Sequence, residues 1–566
     1  MKIKISSFVK CAVLAALVTG SYSCRKLYDT KPENLVEAKN AYQNIYDADA
    51  AVTGVYGKLL GLAGQYEVLN ELRADLMDVT PNAGADLQQI NTDNVQPGNA
   101  YADPKPFYNV ILNCNDVMKN LTIMHQDHKL TDDDYIQRWS DVGALRSWLY
   151  FQLALQFGEV PYITEAATTV KDINDIKDAT KYPRLKLDDM VRTLIAFMEA
   201  LPYKDPYPLA NSLNSQIDGY PASIFYINKK CLLGDLYLWN DDFHKAAVIY
   251  KQVMETTTAA GTGNSYAYYD TYTLNSGSDN DAVTQSAWQT FFSRSTQDRE
   301  YQSEWIWSMV FDSNFAPENP FINLFANSGG KYLVKPSQTA IDNWNAQRQT
   351  DGTPFDYRAQ VTYKMINGQP VIIKFLYNYI NATTGIPASP LTKNGKWFLY
   401  RTPTLHLRFA EAANRDGQTK IAWALVNAGI KGAFNDPNVA DTLSRITHLP
   451  FPYDFDARKL DAPTIRGKYH RNLGIRARVN ATLLDTILQH NDQMLPMEDK
   501  IIDEAALELA YEGNRWQDLL RIAHRRNDPA FLADKVYNKL LKDGNPAAAD
   551  VRARLMDPNK WFLPFK

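Results

Sequence analysis

A mainly α-helical protein is expected, with tetratricopeptide-like helix pairs packed against a loop-rich region that holds a few short strands. Three stretches of the 566-residue chain predict it. In residues 143–161, GALRSWLYFQLALQFGEVP, apolar side chains recur on every side, among them Leu145, Trp148, Phe151, Leu155 and Phe157. A helix apolar all round is a buried helix. In residues 226–254, YINKKCLLGDLYLWNDDFHKAAVIYKQVM, Leu233, Gly234, Tyr237, Ala246 and Tyr250 fall at the spacing of a tetratricopeptide unit, with Lys230 where Trp is usual. One such unit cannot bury its own faces, so further helix pairs must stack on it. Between about 261 and 399, Gly, Ser, Asn and Asp become common and short alternating runs such as EWIWSMVFD appear, which reads as long loops with small strands.

The elements follow in order. Residues 1–23 read as an export signal: Lys2, Lys4 and Lys10 form a basic start, and the apolar run that follows, about 11–18, is too short to span a bilayer. Small residues lead to Ser23-Cys24 in the manner of a bacterial lipobox, with Ser21 where Leu is usual and Tyr22 where a small residue is usual. Cys24 is therefore the expected lipidation site, and residues 24–35 the tether. Residues 36–566 are read as one domain, with the helical scaffold mainly at 36–260 and 400–545 and the loop-rich region at about 261–399. Helical periodicity starts near Leu35, is interrupted by the polar, turn-rich 80–104, and resumes at 107–124, 135–157 and 187–200. Gly158 stops the second of these and Pro161 prevents continuation. Arg146, set in that apolar helix, requires a carboxylate partner. Further helices are expected at 404–413 and 419–433, and a long one at about 497–524.

Composition excludes some classes. With 45% hydrophobic and 22% charged residues and a formal charge of -4, nothing points to nucleic acid. Of 4 Cys, Cys11 leaves with the signal and Cys24 takes the lipid. Cys114 and Cys231 remain, both in apolar helical settings, and are expected as buried free thiols rather than a disulfide framework. The chain holds 33 Tyr, 23 Phe and 11 Trp, enough both for helix packing and for a ring-stacking ligand surface.

Five segments carry a family resemblance. Leu145-Arg146, the aromatic-rich helix after it and Phe157-Gly158-Glu159-Val160-Pro161 resemble a signature of the SusD/RagB family of nutrient-binding outer-membrane lipoproteins. In residues 503–521, DEAALELAYEGNRWQDLLR, Glu504, Glu508, Glu512, Gly513, Arg515, Trp516, Asp518, Leu519 and Arg521 fall in register with that family's C-terminal motif, while Ala505 stands where Arg is usual. Ala410-Glu411-Ala412 matches another family helix, with Thr404 where an acid is common. Asp356-Tyr357-Arg358 resembles the family's Asp-x-Arg, and the ending WFLPFK a Leu-Pro-aromatic close. The resemblance implies a SusD-like fold with its ligand site on the loop-rich side. It also implies an outer-membrane, cell-surface location and a SusC-like TonB-dependent barrel as partner. An oligosaccharide is the default ligand, and an oligopeptide the alternative within the family.

Catalysis is weighed against binding. Glu504, Glu508 and Glu512 are spaced to share one helix face, where like charges repel unless cations compensate, and Arg515 and Arg521 are the nearest candidates. A buried ion network is expected. A glycan-cleaving enzyme would place its two carboxylates on different elements facing a cleft. His125 and His128 lack the neighbours of a metal site. No phosphate loop, dinucleotide fingerprint or nucleophile elbow occurs in the sequence, and neither cofactor nor metal is expected. The ligand candidates are Tyr266, Tyr268, Tyr269 and Tyr272 in SYAYYDTY and Trp288 in WQTFF, because aromatic faces suit the apolar faces of sugar rings. Asn82 and Asp86, with Gln88, Asn91 and Asn94, are a candidate second wall. Trp305 and Trp307 are expected in the core.

Overall fold

The computed structural model describes residues 41–167, 178, 180–208, 210–214, 216–217, 220–256, 292, 304–381, 383–439, 443–458, 467–470 and 472–565. The export signal, Cys24 and the tether lie outside these, as do Tyr266, Tyr268, Tyr269, Tyr272 and Trp288.

Local caps set the helix starts. Helix α1, Ile45–Leu60, opens on a capping box in which Asn44 Oδ1 accepts from the Tyr46 amide at 2.9 Å and Asp47 Oδ2 accepts from the Asn44 amide at 3.2 Å. Residues 41–44 before it are not helical, and Leu35, where helical periodicity was expected to start, lies outside the described residues. Helices α2 (Lys105–Gln126) and α3 (Asp132–Phe157) follow. Thr131 caps α3 through the Asp134 amide, and Asp132, Asp133 and Asp134 place negative charge at its positive end. Every residue from 140 to 157 is buried, so the all-round apolar pattern was a true sign of a central helix.

The scaffold is a stack of helix pairs. Helix α3 packs on α1, α2, α4 (Leu187–Glu199) and α5 (Lys229–Trp239). Helix α5 pairs with α6 (Phe243–Met254), α6 packs on α7 (Thr402–Arg415), and α7 on α8 (Thr419–Val426) and α9 (Met494–Glu508). The tetratricopeptide reading of 226–254 holds in detail. A Cβ at Gly234 would lie 2.4 Å from the Tyr250 ring, so only Gly admits that ring. Lys230, at the missing Trp position, turns outward to Asp205 at 2.6 Å.

Two expected helices are broken. The stretch 419–433 divides at Asn427, because Gly429 adopts φ +72° against the Asn472 backbone and Asn472 Oδ1 accepts from the Ile430 amide at 3.1 Å. The stretch 497–524 divides into α9 and α10 (Arg515–Arg526), with Tyr511 at φ +68° and Gly513 at φ +70° between them. The polar stretch 80–104 is not all loop: buried Leu87 and Ile90 anchor a short helix, Ala85–Asn91.

Only short strands occur among the described residues. Trp305–Phe311 pairs antiparallel with Gly395–Arg401, Met77–Val79 with Val334–Pro336, and Tyr363–Ile366 with Gln369–Ile372. Trp305 and Trp307 are in the core, Trp305 stacked on Phe398 and Trp307 edge-on to Trp148.

The C-terminal ending is pinned to the scaffold. Helices α11 (Pro529–Lys542) and α12 (Ala548–Leu555) lead to the WFLPFK ending, which folds back on the end of α3. Arg73 Nη2 donates to the Trp561 carbonyl at 2.7 Å, and the Leu563 amide to the Gln156 carbonyl at 2.8 Å. Gly158, at φ +75°, leaves room for Phe562, whose ring a Cβ there would meet at 2.6 Å. Cys114 and Cys231 are buried free thiols. Among the described residues no helix is long and apolar enough to cross a membrane.

Candidate functional site

The acidic motif of α9 forms a buried, charge-balanced lattice. Asp356, Glu304, Glu504, Glu508 and Glu512 meet Arg358, Lys374, Arg401, Arg476 and Arg478. Arg401, at the end of strand Gly395–Arg401, reaches Glu304 at 2.7 Å, Glu508 at 2.7 Å and Glu512 at 2.8 Å. Burial alone would raise the Glu508 pKa, but the guanidinium groups of Arg478, Arg401 and Arg358 outweigh it and hold the carboxyl down at about 2. Glu504 and Glu512 are lowered for the same reason, against the pull of burial.

Two expectations are corrected here. Glu512 is not on the α9 face; it lies in the turn after the helix and reaches Arg401 and Lys374 from there. Arg515 and Arg521 are not the partners of these glutamates. Arg515 clamps Asp75 at 2.6 and 2.8 Å, and Arg521 takes Glu411 at 2.6 Å and Asp518 at 3.0 Å. Arg146, too, meets no carboxylate among the described residues and bonds to Asn115 Oδ1 at 2.8 Å. With each network carboxylate held by cations inside the protein, the arrangement braces the strand, the Asp356 turn and α9 against one another.

A second pair of acids behaves differently. Glu67 is fully buried, accepts from the Trp397 indole at 3.0 Å, and has Oε2 without a partner. Burial first, and the nearby Glu71 carboxyl second, raise its pKa well above the usual range. Folding therefore takes up a proton there. The stabilising effect is complete below the unfolded carboxyl value of about 4.3 and is lost as pH rises toward the folded value, by at most about 1.4 kcal/mol per pH unit. Glu67→Gln should flatten the fall in stability as pH rises above the usual carboxyl range, checked by urea unfolding at several pH values.

The loop-rich side carries the candidate ligand face. Asn82 Nδ2 donates to the Lys331 carbonyl at 3.1 Å and the Tyr332 carbonyl at 3.4 Å, so this side chain ties its loop to the strand at Val334–Pro336. Asp86 Oδ2 accepts from the Ala100 amide at 3.2 Å and closes the loop on itself. Asn91 is internal, between Asp78 and Lys539, whereas Asn94 is exposed. From Tyr332 the face continues through its hydroxyl, which donates to the Pro370 carbonyl at 2.8 Å, to the hairpin at 363–372. Beside that hairpin lies a cleft of about 500 Å³ with Phe355, Tyr363 and Met365 in its lining and Asn345, Gln360 and Lys364 as polar groups. Tyr363 stacks on Trp344 at 5.5 Å, and Met365 is 60% exposed. The sequence reading missed these residues. Their signal was faint: aromatics alternating with polar groups just after Asp356-Tyr357-Arg358.

Phe292 of the WQTFF run rests on the ion lattice. Phe292 is buried edge-on to Trp305 and Phe398, with Lys374 Nζ 4.9 Å from its ring centre, and Glu304 is itself a lattice member. Among the scaffold helices, the void lined by Trp148, Gln152, Asp235 and Tyr400 has about 30 Å³, the space of a water molecule. His125 bonds to Asp132 at 2.7 Å and stacks on Tyr135, while His128 ends the helix at φ +58°.

Comparison with known proteins agrees with this architecture. Residues 29–200 match a family model described as "Starch-binding associating with outer membrane", and residues 461–563 match the model of the SusD family. These two stretches hold the Gly143 to Pro161 signature, the acidic motif of α9 and the pinned C-terminal ending. The chain is thus similar to SusD-type proteins in its N-terminal third and near its C-terminus. Comparison with curated proteins by sequence gave no match. Among solved structures, a SusD superfamily protein from Bacteroides vulgatus is similar over 92% of this chain and 96% of its own, at 15% identity and a TM-score of 0.59. Surface glycan-binding protein A from Bacteroides uniformis is similar over 92% and 96%, at 14% identity and 0.57. A laminarin-binding SusD-like protein is similar over 89% and 94%, at 17% identity and 0.56. The chain thus shares their mainly helical fold across nearly its whole length.

Proposed function

We propose that this SusD-like protein captures an oligosaccharide at the cell surface without cleaving it and delivers it to a SusC-like TonB-dependent outer-membrane barrel. The observation that carries the reading is the match, along nearly the full chain, to the fold of proteins named for glycan and laminarin binding. The ligand face is assigned to the loop-rich side. Tyr266, Tyr268, Tyr269, Tyr272 and Trp288 supply stacking surfaces, and Asn82 and Asp86 belong to the wall opposite. The acids of the α9 motif are excluded from chemistry by their pairing, which leaves none of them free to act as general acid or base. The lipid on Cys24 tethers residues 24–35, and the remainder folds as one domain.

A glycan and peptide binding screen on a form lacking residues 1–24 tests this. Retention on a glycan without product release is the expected result; release of shorter sugars would make the protein an enzyme, and retention on peptides alone would move it to oligopeptides. Tyr269→Ala and Trp288→Ala should each weaken glycan binding about five- to tenfold with an unchanged denaturation midpoint. Cys24→Ala should shift the protein from the membrane to the soluble fraction; membrane association that persists in the variant would reject lipidation there.

A further inference from the structure

The guanidinium of Arg146 is buried without the carboxylate its setting demands. The residue is 4% exposed. Nη1 donates to Asn115 Oδ1 at 2.8 Å and to the Thr164 carbonyl at 3.4 Å, and the Phe197 ring centre lies 4.9 Å from the guanidinium carbon. Gly143 makes that contact possible, since a Cβ there would stand 2.9 Å from the Phe197 ring. Nε and Nη2 donate to no other group, and no carboxylate pairs with this side chain among the described residues. Other buried arginines differ: Arg138, Arg358, Arg401, Arg478 and Arg515 each meet at least one carboxylate. A buried cation left unpaired is costly, so a free edge of this kind favours an anion from outside.

Arg146 lines a groove of about 490 Å³ together with residues of α2 and α3 and with Thr164, Glu165 and Ala166. The volume falls in the range of small-molecule sites, roughly 300–1,000 Å³. Trp139, two turns before Arg146 on α3, is half-buried and forms one wall, with Met118 beside it. Lys119 adds an exposed positive charge at the rim, and Glu165 an exposed negative one that solvent and salt screen.

We propose that this groove is a second binding site, on the helical side of the molecule, for a carboxylated sugar ring of the hexuronate type. The carboxylate takes a bidentate place on Arg146 Nε and Nη2, and the apolar face of the ring rests on Trp139. A neutral sugar satisfies only the second of these contacts. The site does not depend on the ligand of the loop-rich face.

Calorimetric titration of the mature protein with glucuronate, glucose, acetate and a dipeptide with a free C-terminus tests it. Glucuronate should bind saturably in the millimolar range, and glucose at least roughly tenfold more weakly. Arg146→Met should abolish glucuronate binding. Because Arg146 also braces Asn115 and Thr164, Trp139→Ala and Lys119→Glu are the companion variants, each expected to weaken glucuronate severalfold in a folded protein. Tyr269→Ala and Trp288→Ala should leave it unchanged, which separates this site from the loop-rich face. Equal binding of glucose and glucuronate, absence of saturable glucuronate binding, or binding that survives both Trp139→Ala and Lys119→Glu overturns the proposal. Acetate or the dipeptide binding as tightly as glucuronate overturns its sugar part.

Discussion

Arg401→Met should lower the unfolding free energy by about 3–5 kcal/mol, read from urea denaturation of the form lacking residues 1–24. The side chain is fully buried and is shared by Glu304, Glu508 and Glu512. Its removal leaves three buried carboxylates short of a cation, and the penalty comes from their desolvation rather than from lost packing. Arg401→Lys should recover little of the loss, because a single ammonium cannot span carboxylates that approach from three directions. The pH dependence carries the same signature. Glu504, Glu508 and Glu512 titrate below their unfolded values, so their contribution is present above about pH 4.3 and is lost as pH falls toward the folded value, about 2 for Glu508. In Arg401→Met the acid transition should begin at higher pH. Unchanged midpoints in denaturant and in acid would show that the lattice does not brace the fold.

Gly513→Ala should cost about 2–4 kcal/mol although it adds a single methyl group. The residue sits at φ +70°, and a Cβ there would lie 2.1 Å from the ring of Tyr66. Tyr66 is buried and its hydroxyl donates to the Gly513 carbonyl at 3.0 Å, so the ring cannot retreat without losing that bond. The turn also presents the Tyr511 and Asn514 amides to Glu71 at 3.2 and 3.0 Å. Shifting the turn displaces Glu512 from Arg401 as well. Gly57→Ala is the control: it lies within α1 with nothing near its added Cβ, and should stabilise by about 0.5–1 kcal/mol. Equal midpoints for the two variants would refute the role given to the turn.

Periodic features were legible from the residues alone. The all-round apolar run of α3, the Gly234 and Tyr250 spacing of the α5–α6 pair and the stops at Gly158 and Pro161 are local, and helix geometry converts them directly into burial and packing. The same holds for the family segments. The aromatic candidates at 266–288 were chosen by composition; they fall outside the described residues, and the binding variants will decide them. The cleft beside the hairpin at 363–372 was not legible, because its walls come from residues 344–365 that share no period.

The sequence by itself determined the mainly helical class, the stacked pairs, the buried thiols and the presence of a buried acidic motif in need of cations. Tertiary structure alone decided which cations those are, where the long C-terminal helix breaks, and that Arg146 meets no carboxylate among the described residues. The physical reason is range. Periodicity and caps act over one or two helical turns, so a linear reading recovers them. Glu508 meets Arg401 across 107 positions and Glu71 meets the Asn514 amide across 443, and pairings so distant exist only once the layers have packed.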